Sequence, residues 1–307
     1  MKKFIKVLVA MMLSIATVLP ITAGAKEFSD MPDNWTTASL ERAVENGLLQ
    51  GDNGKIMPDD NITRAQMAAI IVRAFGASVE ADISKYPDVA ADKWYYSEFA
   101  KAVNMKAFEG SDDGKLNPDS FITFQECFTV IKRVFALDEA DVSCLDKFND
   151  AKDVQDWAKP YMAAVVGNGY WDGVDNNLKP KAYITRSEFA VLMDNLVKVY
   201  INEPGTYSEF ADGNILVRSN GVTIENLETD NLLIIGDAVN ENMNVNNIKS
   251  TSRIVVRGGV VKFTGVIHNI TTFGKGTIAD LEDITTITGR GLYVGSGSTI
   301  NFGEMGV

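Results

Sequence analysis

Between residues 37 and 75 the apolar positions follow a helical period that is interrupted once. Leu40, Ala43, Val44 and Leu48 recur at helical spacing, Gly51 to Pro58 breaks the pattern, and Met67, Ile70, Ile71, Ala74 and Phe75 then line one face of a second helix. The second stripe returns as Cys127, Val130, Ile131, Val134 and Phe135, and again as Phe189, Leu192, Met193, Leu196 and Val197. One helix pair cannot bury such a face alone, whereas three packed together can, so 28–200 is expected to form one composite helical domain. After Tyr200 the period changes. Short apolar runs at close spacing (Ile215/Val217, Val222/Ile224, Leu233/Ile235, Ile254/Val256, Val261/Phe263, Leu292/Val294, Ile300/Phe302), punctuated by glycine, read as β-strands.

The helical part is a repeat. Phe28-Ser29-Asp30, Trp35, Gly51, Pro58 and Ile62-Thr63-Arg64-Ala65-Gln66 align with Tyr86-Pro87-Asp88, Trp94, Gly110, Pro118 and Ile122-Thr123-Phe124-Gln125-Glu126. They align again with Phe148-Asn149-Asp150, Trp157, Gly173, Pro180 and Ile184-Thr185-Arg186-Ser187-Glu188, a period of about 60 residues. Repeat bounds are expected near 28–78, 86–138 and 148–200.

The Thr-x-x-Glu/Gln element opening each second helix has a local cause. Thr63, Thr123 and Thr185 can cap the helix while Gln66, Glu126 and Glu188 reach back to the cap residue. Arg64 and Arg186 are not explained this way, because a cation in the first turn opposes the helix dipole. Phe124 takes their position in copy two while the capping residues stay, so the cap and the Arg are separable. An Arg beside free N-terminal amides can receive an anion, a carboxylate being held bidentately; an ion pair with a nearby Asp is the alternative. On the first reading, alanine at Arg64 or Arg186 weakens ligand binding and leaves folding nearly unchanged. Trp35, Trp94 and Trp157 pose a similar choice between core or staple packing, the simpler reading, and a platform for a sugar face.

Composition narrows the chemistry. With one His and two Cys in 307 residues, His/Cys zinc sites are almost excluded and a Ser-His-Asp device would have to use His268. A net charge of −12 argues against nucleic acid. Cys127, on the core stripe, is expected as a buried thiol, and Cys144 could at most join it in one bridge. The loops Asp52-Asn53-Gly54 and Asp112-Asp113-Gly114 lack calcium-loop spacing, so neither metal nor cofactor is expected. Lys2, Lys3 and Lys6 precede an uncharged run from Val7 to Leu19 that ends near Ala23-Gly24-Ala25, the pattern of a secretory signal over 1–25. No later run is long enough for a membrane span.

Phe28-x-Asp30, Trp35, Gly51-x-x-Gly54, Pro58 and Ile62-Thr63-Arg64-Ala65-Gln66 resemble the S-layer homology (SLH) domain, and three tandem copies is that family's usual number. The resemblance covers roughly 28–197 and implies a three-pronged helical domain with pseudo-threefold symmetry. It further implies an exported bacterial protein held non-covalently on a secondary cell-wall polymer, typically one bearing pyruvylated amino sugars, with other surface-layer proteins as further partners. Carried over by position, the family's polymer-binding residues fall on Arg64 and Arg186, on Asp30, Asp88 and Asp150 at the opening of each repeat, and on Trp35, Trp94 and Trp157. Copy two departs at Phe124, and at Lys106 where the other copies have Gly47 and Gly169. Two competent grooves at most are therefore expected, unless Lys106 supplies copy two's missing cation.

Asn202-Glu203-Pro204-Gly205 reads as a linker to a β-rich module over 201–307, a small β-solenoid in preference to a sandwich. Asn231 to Gly236 and Arg253 to Gly259 look like successive rungs. The overall expectation is an α + β multidomain protein, with 26–200 as the repeat domain. A polysaccharide-acting β-helix enzyme tethered to the wall is the competing reading. Asp280, Glu282 and Asp283 sit together in what reads as a solvated turn, and no carboxylate pair with separate environments stands out. A non-enzymatic wall-anchored protein with no catalytic residue is the preferred reading.

Overall fold

The structure is a computed structural model that describes residues 28–111, 113–289 and 291–303; the expected secretory segment lies outside the described residues. Each repeat contributes two helices: α1 (Thr37–Glu45) and α2 (Arg64–Phe75), α3 (Tyr96–Asn104) and α4 (Phe124–Phe135), α5 (Lys159–Gly167) and α6 (Arg186–Leu196). All three second helices start on a complete capping box. Thr63, Thr123 and Thr185 accept from the amides of Gln66, Glu126 and Glu188, whose side chains accept the cap residue's own N–H at 2.9, 2.9 and 3.0 Å.

The repeats interlock cyclically. α1 packs on α6, α3 on α2 and α5 on α4, so each first helix leans on the motif helix of a neighbouring repeat. At the pseudo-threefold axis the Ile62 amide donates to Ile184 O at 3.0 Å, the Ile122 amide to Ile62 O at 3.0 Å, and the Ile184 amide to Ile122 O at 3.1 Å. All three isoleucines are fully buried, so the motif's leading Ile both fills the axis and closes a ring of backbone bonds. Removing one repeat would open that ring and expose the stripes of the other two. The three repeats therefore form one cooperative core.

The β part is a parallel solenoid of about six turns. One sheet runs β1 (Val199–Ile201), β3 (Ile215–Val217), β6 (Leu233–Ile235), β8 (Arg253–Val256), β10 (Asn269–Thr272) and β12 (Leu292–Val294). The facing sheet runs β2 (Gly205–Tyr207), β4 (Val222–Glu225), β7 (Asn242–Ser250), β9 (Val260–Ile267), β11 (Ile278–Ile287) and β13 (Thr299–Asn301), with β5 (Glu228–Thr229) beside β7. The two expected rungs are neighbours in register, Leu233 opposite Ile254 and Ile235 opposite Val256. The segment read as a linker is the corner between β1 and β2, and strand structure begins at Val199, directly after α6. Asp280, Glu282 and Asp283, read as a turn, lie within β11, where apolar Ala279 and Leu281 alternate with them and face inward. Cys127 is a buried free thiol and Cys144 a half-buried one.

The runs Ile215-Leu216-Val217, Leu233-Ile234-Ile235 and Ile254-Val255-Val256 are buried on both faces. Their outer residues fill the solenoid, while the central Leu216, Ile234 and Val255, stacked in register, enter the core of the helical domain. Each such burial stabilises by about 1.5–3 kcal/mol. Arginines beside this stripe meet the C-terminal ends of helices, where carbonyls are unpaired and the dipole is negative. Arg218 donates to Asn46 O at 2.6 Å, at the C-cap of α1. Arg257 donates to Met105 O at 2.9 Å, at the C-cap of α3, and to Val134 O at 3.2 Å in the last turn of α4. Arg253 pairs with Asp138 just beyond α4. At the end of α2, Gly76 adopts φ +66, and a Cβ there would come within 2.4 Å of the Ala238 methyl. Glycine both caps this helix and lets the solenoid close on it.

Candidate functional site

Repeated positions that are not used by the axis converge on the seams between repeats. The first-turn amides of each motif helix are occupied. Arg64, Phe124 and Arg186 donate their backbone N–H to Ser120, Ala182 and Asp60 of a neighbouring repeat at 2.9, 3.0 and 3.0 Å. The next residues, Ala65, Gln125 and Ser187, donate to Pro118, Pro180 and Pro58 at 3.0, 3.1 and 3.0 Å. Since the third amide is taken by the Thr cap, the helix N-terminus offers no free donors to an anion. The expectation of an anion held by those amides is corrected. Each repeat's proline loop satisfies them instead.

The motif arginines also reach across the seams. Arg64 Nε donates to Leu116 O at 2.7 Å, its guanidinium lies 5.3 Å from the Phe108 ring centroid, and Glu126 is 3.5 Å away. Arg186, 7% exposed, donates from Nε to Ile56 O at 2.7 Å and from Nη2 to Gln50 O at 2.8 Å. Burial lowers the pKa of both guanidinium groups, with Glu126 and Asp88 opposing it at Arg64 and Asp60 and Asp30 at Arg186. Arginine keeps its proton in proteins, so the lowering reflects desolvation of a charge held in the seam rather than a change of state. Because backbone carbonyls depend on them, removing either Arg is expected to cost stability, in place of the nearly unchanged folding that the anion reading implies. Nη1 of Arg186 has no hydrogen-bond partner among the described residues, and at Arg64 only Nε has one, Nη1 standing 3.5 Å from Glu126 and Nη2 without either.

In the third seam Phe124 is buried and packs against Trp171, ring centroids 5.4 Å apart. The side chain changes together with its receiver, Phe against Trp in place of Arg against backbone oxygens. Lys106 does not replace the missing cation there. It stands at φ +63 on the same loop as Phe108 and Glu109, beside the seam that already holds Arg64.

Asp30, Asp88 and Asp150 each clamp a loop. Asp30 accepts from the Ile56 and Met57 amides at 2.7 and 2.8 Å, Asp88 from Leu116 and Asn117 at 3.1 and 2.6 Å, and Asp150 from Leu178 and Lys179 at 2.8 and 2.7 Å. The second residue of each pair has positive φ, 54°, 52° and 52° in turn, a conformation costly for Met57 and Lys179 and tolerated by Asn117, which the carboxylate holds in place. Desolvation raises the Asp30 pKa, but its amide donors outweigh that and leave it below the usual carboxylate value. Its clamp is thus fully formed above the ordinary carboxylate range and is lost as acid protonates it. These carboxylates shape the loops whose carbonyls, Ile56 O and Leu116 O, receive Arg186 and Arg64.

Trp35, Trp94 and Trp157 are 62%, 62% and 47% exposed. Core packing, the simpler reading, is corrected. Each precedes a first helix, and first helices are the elements that lean on a neighbour's motif helix. Gln155, two residues before Trp157, pairs with Gln125 in the first turn of α4 at 2.5 Å, which sets this turn against the seam. An exposed indole at three symmetry-related positions is not explained by packing.

The S-layer homology domain family matches residues 27–68, 85–126 and 147–190. The chain is 31% identical over 205 residues to the surface-layer 125 kDa protein of Lysinibacillus sphaericus, covering 64% of this chain and 17% of that one. It is 28% identical over 178 residues to exoglucanase XynX of Acetivibrio thermocellus, covering 56% and 16%. A cellulosome-anchoring protein of Acetivibrio thermocellus is 29% identical over 167 residues, covering 52% and 37%. The chain thus spans less than a fifth of the first two relatives' lengths.

Proposed function

From the premise that this is an SLH-domain protein with three tandem repeats, we propose that it anchors non-covalently to an acidic, pyruvylated secondary cell-wall polymer through its repeat seams. It is an exported protein of the bacterial cell wall or surface layer, and the solenoid is the module it presents there. Its acidity gives no long-range attraction to an acidic polymer, so recognition is local. In the seams of Arg64 and Arg186, backbone carbonyls fix the guanidinium while its remaining N–H edge receives the polymer's carboxylate, and the exposed Trp takes the sugar face. The observation carrying this reading is the exposure of Trp35, Trp94 and Trp157 at equivalent positions just ahead of the first helices, each of which packs on a neighbouring repeat's motif helix. Asp30, Asp88 and Asp150 contribute by shaping the loops. The third seam, with Phe124 for Arg, binds least.

The same geometry supports a non-enzymatic reading. Asp283 pairs with Lys262 at 2.6 Å and Asp280 accepts from Asn301 at 3.1 Å, so the acidic stretch is tied into its own sheet. His268 at the corner after β9 bonds Thr288 at 2.9 Å. The cell-wall-tethered enzyme reading predicts shortening of polymer chains on incubation; we expect none.

Alanine at Trp35 or Trp94 should weaken co-sedimentation with cell walls by roughly three- to tenfold each, from about 0.5–1.5 kcal/mol of lost ring contact, with an unchanged melting temperature. Full wall binding by a variant lacking all three indoles would sink the proposal.

A further inference from the structure

The outer face of the first solenoid sheet carries one in-register row: Tyr200, Leu216, Ile234, Val255, Thr271 and Tyr293. Leu216, Ile234 and Val255 lie under the helical domain, but the row outruns that domain, and Tyr293 at its end is 55% exposed. Between the ends of α3, α4 and α5 and this part of the solenoid lies an open cleft of about 1390 Å³. It shares Lys106 and Glu109 with a smaller pocket of about 480 Å³ on copy two's loop, where Lys85 Nζ stands 4.9 Å from the Tyr86 ring centroid.

The cleft differs from the rest of the surface in charge. The whole chain has 41 acidic and 29 basic residues, whereas among the residues lining the cleft six Lys and Arg face five Asp and Glu. Three of those carboxylates are already held by arginine: Glu109 by Arg133 at 3.0 Å, Asp237 by Arg257 at 2.7 Å, and Asp138 by Arg253. Lys106, Lys132 and Lys275 have no carboxylate within 4.0 Å among the described residues, and against them stand two carboxylates without an ion pair, Glu139 and Asp230, so the free charge in the cleft is cationic by one. Aromatic faces stand beside it. Lys132 Nζ is 5.8 Å from the Tyr161 ring centroid, and Phe273 and Tyr293 are 5.8 Å apart with their planes tilted 46°. Ammonium groups next to aromatic faces, in a trough longer than one sugar, suit a chain whose rings stack and whose anionic groups need cations.

We infer that the cleft between the helical domain and the solenoid is a second binding site, for an anionic oligosaccharide bearing carboxylate or phosphate groups, independent of the repeat seams. Lys132 and Lys275 take the anionic groups, and Tyr161 and Tyr293 the sugar faces.

The test is calorimetric titration of the exported chain with oligogalacturonate, with glycerol-phosphate teichoic acid fragments, and with maltohexaose as the neutral control. Binding of at least one anionic probe but not of maltohexaose is expected. Oligogalacturonate alone assigns carboxylated glycans, the teichoic fragment alone assigns phosphorylated ones, and both together assign anionic glycans of either kind. Affinity should fall about tenfold or more in Lys132→Glu/Lys275→Glu and several-fold in Tyr293→Ala, an exposed position whose loss leaves folding intact. It should be retained in Trp35→Ala/Trp94→Ala/Trp157→Ala, which separates the cleft from the seams. The proposal is overturned if neither anion binds, if maltohexaose binds equally well, if the lysine variant binds as wild type, or if binding is lost in the tryptophan variant instead.

Discussion

Arg257→Ala should destabilise the protein by about 3–5 kcal/mol, the cost of leaving a buried charge without its partner. Arg257 is 3% exposed, pairs with Asp237 at 2.7 Å, and lies with its guanidinium 5.4 and 5.0 Å from the rings of Phe75 and Phe273. The substitution strands the Asp237 carboxylate and the carbonyls of Met105 and Val134 together. Because these groups belong to both domains, denaturation should separate into two steps, the solenoid and the helical domain no longer unfolding as one. Burial raises the Asp237 pKa even with Arg257 present to oppose it. Without Arg257 it rises further, so as pH falls the folded variant takes up a proton before the unfolded chain does, and stability increases. The deficit should accordingly be largest at neutral pH and shrink in mild acid. Chemical denaturation at both pH values checks this; a variant within about 1 kcal/mol of wild type at neutral pH would show that the arginine does not hold the domains together.

Arg186→Ala should cost about 2–4 kcal/mol, from two seam carbonyls left without donors and the loss of side-chain packing. Ile56 O and Gln50 O belong to repeat one, 130 and 136 residues away in sequence, so the damage opens the seam rather than fraying a helix end. Arg186→Lys keeps the charge but serves at most one carbonyl well, and should recover only part of the loss. Wall binding must therefore be measured per folded molecule. Seam binding predicts that folded Arg186→Lys still binds more weakly than wild type, because a point charge replaces a fixed fork. Equal stability of Arg186→Ala and wild type would contradict the seam geometry.

The parts of this architecture that depend on local pattern were legible in the chain. The caps at Thr63, Thr123 and Thr185 need only residues three apart, and the helical stripes need only a 3.6-residue period, so both appear in the sequence as they do in space. The solenoid rungs were legible because Leu233 to Ile235 and Ile254 to Val256 are short apolar runs each followed within two residues by glycine. Partners that are backbone atoms were not. Leu116 O and Ile56 O carry no side-chain signature, so nothing in the sequence showed that Arg64 and Arg186 were already engaged, or that Pro118 O, Pro180 O and Pro58 O had filled the helix amides. The exposure of the tryptophans was not legible from local pattern for a related reason. An indole next to a helix start reads as packing unless the neighbouring repeat's position is known. Arg218, Arg253 and Arg257, which meet the helix ends, were overlooked, although a signal existed. A run such as Ile254-Val255-Val256, apolar at every position, needs two buried faces, and the arginines on either side of it mark where the second face begins.

Anchoring through the seams is tested most directly by sedimenting the purified exported protein with cell walls before and after chemical removal of their secondary polymer. Co-sedimentation with native walls that is lost from stripped walls, and is competed by the released polymer, is the predicted result. Undiminished co-sedimentation with stripped walls would contradict it.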